Sequence, residues 1–106
     1  MNNFNNTVLL LLKEIECEMQ QKLLWQSLPP NPDAFLSEQP FAIDRMSSYE
    51  WLQWIFIPRM RALIDANAIL PRNFSLHPYF EESLKEQEEA AELLSLIKRL
   101  DELAKS

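Results

Sequence analysis

The sequence predicts an all-α fold: a small helical bundle of three long helices plus a short fourth, with a long ordered connection between the first two. Three observations predict it. Apolar residues recur at helical spacing in three separate stretches. Cap residues and prolines punctuate the chain where helices should start and stop. Between those stretches there is neither strand-type alternation nor an internal repeat, which leaves a bundle as the architecture.

The first helix is expected from about Asn6 to Trp25, with Val8, Leu12, Ile15, Met19 and Leu23 as its buried stripe. Asn2 to Thr7 offers several N-caps ahead of it. Cys17 falls near the edge of the stripe and reads as a small hydrophobe without a role, because nothing nearby in sequence would lower its pKa. Pro29 and Pro30 stop the helix. From Gln26 to Met46 no period is visible, which is long for a loop in a compact domain. Asn31 before Pro32 predicts a cap and a first-turn proline, hence one short helical turn over Pro32–Leu36. Phe35, Leu36, Phe41 and Ile43 are expected to pin the connection down.

The stretch from Ser47 to Ile64 is the centre of the chain. Ser47 followed three residues later by Glu50 is a capping box. Leu52, Phe56, Met60 and Leu63 form one stripe, while Trp51, Trp54, Ile55 and Ile57 fill most of the remaining circumference. A helix apolar nearly all round is a central one. Pro58 has no N–H for the carbonyl of Trp54 and should kink the axis. Asp65 to Asn67 end the helix, and Ala68 to Leu76 is irregular.

His77-Pro78 fits an extended residue followed by a first-turn proline, with Glu81 and Glu82 in the first turn and Tyr79, Phe80 and Leu84 as apolar contacts. Ala90, Leu93, Ile97, Leu100 and Leu103 mark the last helix, and KEQEE before it contains no breaker, so two helices or one bent helix both fit.

At 106 residues the chain is expected to be one domain, residues 1–106, able to bury roughly two-thirds of its unfolded surface. Hydrophobic content of 47% with 25% charged residues is that of a globular protein. No apolar run approaches the roughly 20 residues of a membrane span. Val8–Leu12 lacks a basic segment before it, so no signal peptide is expected. A single cysteine cannot form an internal disulfide, and the expected location is cytoplasmic. The net charge of −6 is uneven: residues 81–92 carry six Glu against Lys85, while residues 45–72 carry Arg45, Arg59, Arg61 and Arg72 against Glu50 and Asp65. An acidic chain is not expected to bind nucleic acid directly, because phosphate contacts dominate that affinity.

The absence of glycine excludes Walker loops, dinucleotide fingerprints and nucleophile elbows. One His and one Cys cannot make a Cys/His zinc cluster, and Phe74 stands three before His77 where a di-iron bundle needs Glu. Ser75 and His77 form a triad only on paper. Glu14 with Glu18, and Glu82 with Glu86, read as solvated pairs. No enzyme, cofactor or metal is expected. Core filling with a fitted kink is the simpler reading of Trp51, Trp54 and Pro58. The sharper reading is a groove for a partner or ligand, since Trp and Arg are favoured at binding hot spots. The candidate surface is Gln39, Phe41, Trp51, Trp54, Pro58, Arg59, Arg61 and Tyr79.

Gln39-Pro40-Phe41, then Glu50-Trp51-Leu52-Gln53-Trp54 running into Ile57-Pro58-Arg59-Met60, then Leu70-Pro71, Pro78-Tyr79 and Lys98-Arg99-Leu100-Asp101 together resemble the YqcC-like family of small bacterial proteins. The likeness covers nearly the whole chain. It departs from the family pattern between Glu86 and Ala90, where members show a clearer helix break. The resemblance implies a small helical bundle without assigned biochemistry, whose members are typically encoded beside a tRNA pseudouridine synthase. It carries over no catalytic residue. The resulting expectation is a non-enzymatic interaction or accessory protein with a protein partner, the synthase being the candidate. The alternative is a small-ligand-binding bundle with a pocket near Pro58 and Gln39–Phe41, to which Tyr49, Tyr79 and Arg59 supply polar groups.

Overall fold

The computed structural model describes residues 3–105, and among them every regular element is helical. Helix α1 spans Asn3–Gln21 and buries Val8, Leu11, Leu12, Ile15 and Met19. It starts earlier and stops sooner than its stripe predicts. The stop is a Schellman turn: Leu24 N–H donates to the Met19 carbonyl at 2.8 Å and Leu23 N–H to the Gln20 carbonyl at 3.2 Å. Leu23 sits at the left-handed position with φ of 59° and is 90% exposed. It therefore does not belong to the buried stripe, and the chain turns before Trp25 can join the helix.

The connection is ordered. Asn31 Oδ1 accepts from Asp33 N–H at 2.9 Å and caps a 3₁₀ turn over Pro32–Leu36, as the sequence predicts. Three of the four residues expected to pin this segment do not: Phe35, Leu36 and Ile43 are exposed. Ala34, Ala42 and Met46 form a small satellite core there instead, packed on Trp51 and Ile55. Phe41 and Ala42, at φ of 58° and 48°, turn the chain so that the ring of Phe41 packs against the main core while Ile43 faces outward.

Helix α2 runs over residues 48–65 in three continuous pieces, Ser48–Trp51, a π-helical turn Leu52–Phe56, and Ile57–Asp65. Its capping box is present, with Glu50 N–H donating to Ser47 Oγ at 3.1 Å and Ser47 N–H to Glu50 Oε1 at 3.0 Å. The proline is accommodated by the π turn. Ile57 N–H reaches back five residues to the Leu52 carbonyl, and Pro58 then lies in the first turn of the following α segment, where a missing N–H costs little. Leu52, Gln53, Phe56, Ile57 and Met60 are buried, whereas Trp51, Trp54 and Ile55 are half-buried. Asn67, at φ of 57°, closes the helix with a second Schellman turn.

The C-terminal part forms two helices. Helix α3 spans His77–Ser83 and helix α4 Ala91–Lys105, separated by a turn and a short 3₁₀ segment Glu88–Ala90. The largest helix–helix contact is between α1 and α4, and α2 lies on α1 through Ile57–Asp65. No helix among the described residues is long and apolar enough to cross a membrane.

The sequence places Glu81 and Glu82 in the first turn of α3, but they fall beyond it because the helix begins at His77. The anion at that N-terminus comes from α4. Both carboxylate oxygens of Asp101 accept from Leu76 N–H at 2.9 Å, and Oδ2 also accepts from His77 N–H at 2.7 Å. Leu76 is the N-cap and has no side-chain acceptor of its own, so the cap is supplied from a distant part of the chain. Asp101 is only 4% exposed. Asp101→Ala should lower the unfolding free energy by roughly 2–3 kcal/mol, because one buried and one part-buried N–H group lose a charged acceptor. Urea denaturation measures it. A loss within about 0.5 kcal/mol, the range of an ordinary surface change, would show that α3 is held by its apolar contacts alone.

Candidate binding grooves on either side of the second helix

The carboxamide of buried Gln53 grips the backbone of Gln26 from both sides: Gln26 N–H donates to Oε1 at 2.8 Å, and Nε2 donates to the Gln26 carbonyl at 2.7 Å. The side chain of Gln26 is held as well. Its Oε1 accepts from Trp54 Nε1–H at 2.9 Å and its Nε2 donates to Glu50 Oε2 at 3.3 Å. Three residues of the Glu50-Trp51-Leu52-Gln53-Trp54 run are thus committed to one residue of the connection. Beside this clasp lies an open groove of about 660 Å³, lined by Trp25, Gln26, Gln53, Trp54, Pro58 and Arg61 among others. Arg61 is held at its edge by Glu16 at 2.6 Å.

A second groove, of about 400 Å³, is lined by Phe41, Trp51, Phe56, Arg59, Met60 and Phe74 with neighbouring residues. Its aromatic walls are fixed by their own contacts. Phe41 stacks on Tyr79 with centroids 4.1 Å apart and meets Trp51 edge-on at 4.8 Å. Phe56 lies against Trp51 at 5.4 Å and Phe74 at 5.7 Å. A third groove, of about 510 Å³, is lined by Ser48, Tyr49, Tyr79, Glu82 and Ser83 among others. Burial, helped by the nearby Glu89 charge, raises the Tyr49 phenol above its ordinary value. Burial raises Tyr79 too, against an opposing hydrogen bond with Ser83. The Tyr49 hydroxyl is buried without a hydrogen-bond partner among the described residues.

The sequence-predicted surface is therefore distributed. Trp54, Pro58 and Arg61 line the first groove, Phe41, Trp51 and Arg59 the second, and Tyr79 the third, its other face stacked on Phe41. Gln39 is exposed, its N–H donating to Ser37 Oγ at 3.1 Å. The pocket expected between Pro58 and Phe41 is two grooves, because those residues line different ones. Sequence reasoning missed Gln26, Gln53 and Asp101. A signal existed for two of them: Gln53 is the one polar residue in the apolar run 51–57, and Asp101 falls four residues after Ile97 on the buried face of α4. The carboxylate next to His77 is engaged by the backbone N–H groups of Leu76 and His77. Among the described residues no three of His, Cys, Asp and Glu converge as a metal site requires.

Fold and grooves together define a small all-α bundle whose organised surface consists of apolar grooves around a π-bulged helix. Residues 7–103 match the DUF446 family model, described as "tRNA pseudouridine synthase C". An uncharacterised protein of Haemophilus influenzae strain Rd is 50% identical over 92 residues, 87% of each chain. YqcC of Escherichia coli K12 is 37% identical over 100 residues, 93% of this chain and 92% of that one. The solution NMR structure of E. coli YqcC superposes with a TM-score of 0.83 at 36% identity, covering 96% of this chain and 88% of the other. tRNA pseudouridine synthase C of Pectobacterium carotovorum is 45% identical over 69 residues, which is 65% of this chain but only 18% of that protein. The chain belongs to the YqcC-like family, a group of small uncharacterised bacterial proteins.

The clasp separates a structural role for the central motif from a recognition role. Gln53→Leu is close in volume but removes both part-buried bonds to the Gln26 backbone, and should cost roughly 1–3 kcal/mol. The Trp54 indole N–H resonance should also move, as its acceptor Gln26 is released. An unchanged indole resonance with undiminished stability would mean that the connection is held elsewhere.

Proposed function

We propose that this protein is a single-domain, non-enzymatic accessory in the cytoplasm that binds a tRNA pseudouridine synthase through the surface around α2, with Gln39, Trp51, Trp54, Arg59 and Arg61 as contact residues. The observation that carries this reading is the Pectobacterium protein named tRNA pseudouridine synthase C. It contains, as a minor part of its length, a segment 45% identical to 69 residues of this chain. A unit joined to a larger chain in one polypeptide meets it at high effective concentration, and the same unit made separately needs a surface to replace the linkage. The half-buried Trp51 and Trp54 and the exposed Arg59 are of the residue types that anchor such surfaces. The tagged protein, captured from native lysate, should bring down a tRNA pseudouridine synthase in stoichiometric amount, identified by mass spectrometry. Recovery of the bait alone, repeated with purified synthase, would end this reading.

A second reading is a small-molecule site, favoured by the unpartnered Tyr49 hydroxyl beside the groove that Ser48, Ser83 and Tyr79 also line. A phenol is a neutral O–H donor at physiological pH, and burial keeps this one so. A thermal-shift screen of metabolites and nucleotides should then find one that stabilises the wild type and not Tyr49→Phe. No reproducible stabilisation would remove the reading.

A further inference from the structure

The arginines are not equivalent. Arg61 pairs with Glu16 at 2.6 Å, Arg99 with Glu14 at 3.6 Å, and Arg45 with Asp44 at 3.5 Å while also donating to the Asp33 carbonyl. Arg72 lies over the Phe4 ring, 3.7 Å from its centroid. Arg59 is exposed and makes neither an ion pair nor a hydrogen bond among the described residues. It stands on the rim of the groove whose walls are Phe41, Trp51, Phe56, Met60 and Phe74. An unpaired guanidinium beside preformed aromatic walls presents two complementary demands. The walls favour an apolar group, and the planar fork of donors favours a carboxylate. The groove volume of about 400 Å³ falls in the range that accommodates compact ligand groups.

We infer that this groove receives a short segment of a protein partner in which an apolar side chain lies next to an aspartate or glutamate, the apolar group seated on Phe41, Trp51 and Phe74 and the carboxylate forked by Arg59. The inference rests on reading the protein as an interaction module and states what the partner must present. Charge complementarity favours this occupant over the others. A nucleic acid would bring a row of phosphates to a chain of net charge −6 whose other mid-chain arginines, Arg45, Arg61 and Arg72, are already engaged. A second copy would bring a further −6. The preorganised walls reduce the ordering cost of binding.

The test is selection of phage-displayed random peptides on the folded wild type, followed by binding of the enriched peptides to wild type and Arg59→Glu. Enriched peptides should share an apolar residue within one or two positions of Asp or Glu. They should bind Arg59→Glu at least about tenfold more weakly, with the fold intact by its thermal midpoint. Replacing the peptide's acid by Lys or Arg should recover binding to Arg59→Glu. In the amide spectrum the Trp51 indole should shift on binding, while the Trp54 indole, in the other groove, should stay. Peptides without a carboxylate, or equal affinity for Arg59→Glu, would overturn the inference. So would oligouridylate binding at Trp51, or dimerisation that buries Trp51. Purified tRNA pseudouridine synthase separates the two readings: equal binding to wild type and Arg59→Glu removes the groove assignment and leaves the accessory role standing. Binding to neither removes the accessory role, and the peptide result then decides the groove by itself.

Discussion

The carboxylate of Asp101, reaching from α4 to the N-terminus of α3, fixes the half of the molecule on which the aromatic groove depends. With Leu76 and His77 tied to it, α3 is anchored at its N-terminus, and the seven-residue helix needs tertiary support because a helix this short is not stable by itself. Asn73 N–H donates to the Ala104 carbonyl on the same helix, so both ends of the segment before α3 are anchored on α4. Phe74, Tyr79 and Phe80 follow from that placement. They in turn supply the contacts of Phe41 and Phe56, two walls of the groove beside Arg59. One buried acid thus governs a surface made by other residues.

The absence of glycine is the second constraint. Five described residues, Leu23, Phe41, Ala42, Asn67 and Asn73, take positive φ, and none is glycine. Asn tolerates the left-handed region, whereas Leu, Phe and Ala hold it at a cost of about 1–3 kcal/mol each. Such positions persist only where the surroundings determine them. At Leu23 the determinant is the Schellman pair that ends α1. At Phe41 it is the ring, held between Tyr79 and Trp51. The same lack of glycine that excludes phosphate loops therefore leaves strain next to the groove.

Local features were legible in the sequence because their causes are local. The Ser47–Glu50 box and the Asn31 cap before Pro32 each depend on residues a few positions apart, and both stand as the sequence predicts. Pro78 is in the first turn of α3 but one place further in, because His77, expected to be extended, is itself the first helical residue once Asp101 caps its N–H. The end of α1 was hidden because nothing in the sequence marks Leu23 for a left-handed turn. The exposure of Phe35, Leu36 and Ile43 was hidden because the connection has no period to say which side faces in. Gln26, Gln53 and Asp101 act across 24 to 27 residues of sequence, and no spacing rule reaches that far. For the candidate site, sequence reasoning found residue types suited to binding and could not assign them to faces.

The assignment to faces comes from the π turn. Residues three apart in an α-helix lie on nearly the same side. Trp51 and Trp54 are three apart, yet one lines the groove with Phe41 and Arg59 and the other the groove with Gln26 and Arg61. The turn Leu52–Phe56 lies between and around them, with each bond spanning one residue more than in an α-helix, and so rotates their side chains further apart. Pro58 suits this arrangement, since the backbone donor it lacks is one that the altered ladder leaves in the first turn of the next α segment. The proline and the bulge together place two tryptophans on two surfaces: the indole N–H of Trp54 closes the clasp on Gln26, and the ring of Trp51 is a wall for whatever enters beside Arg59.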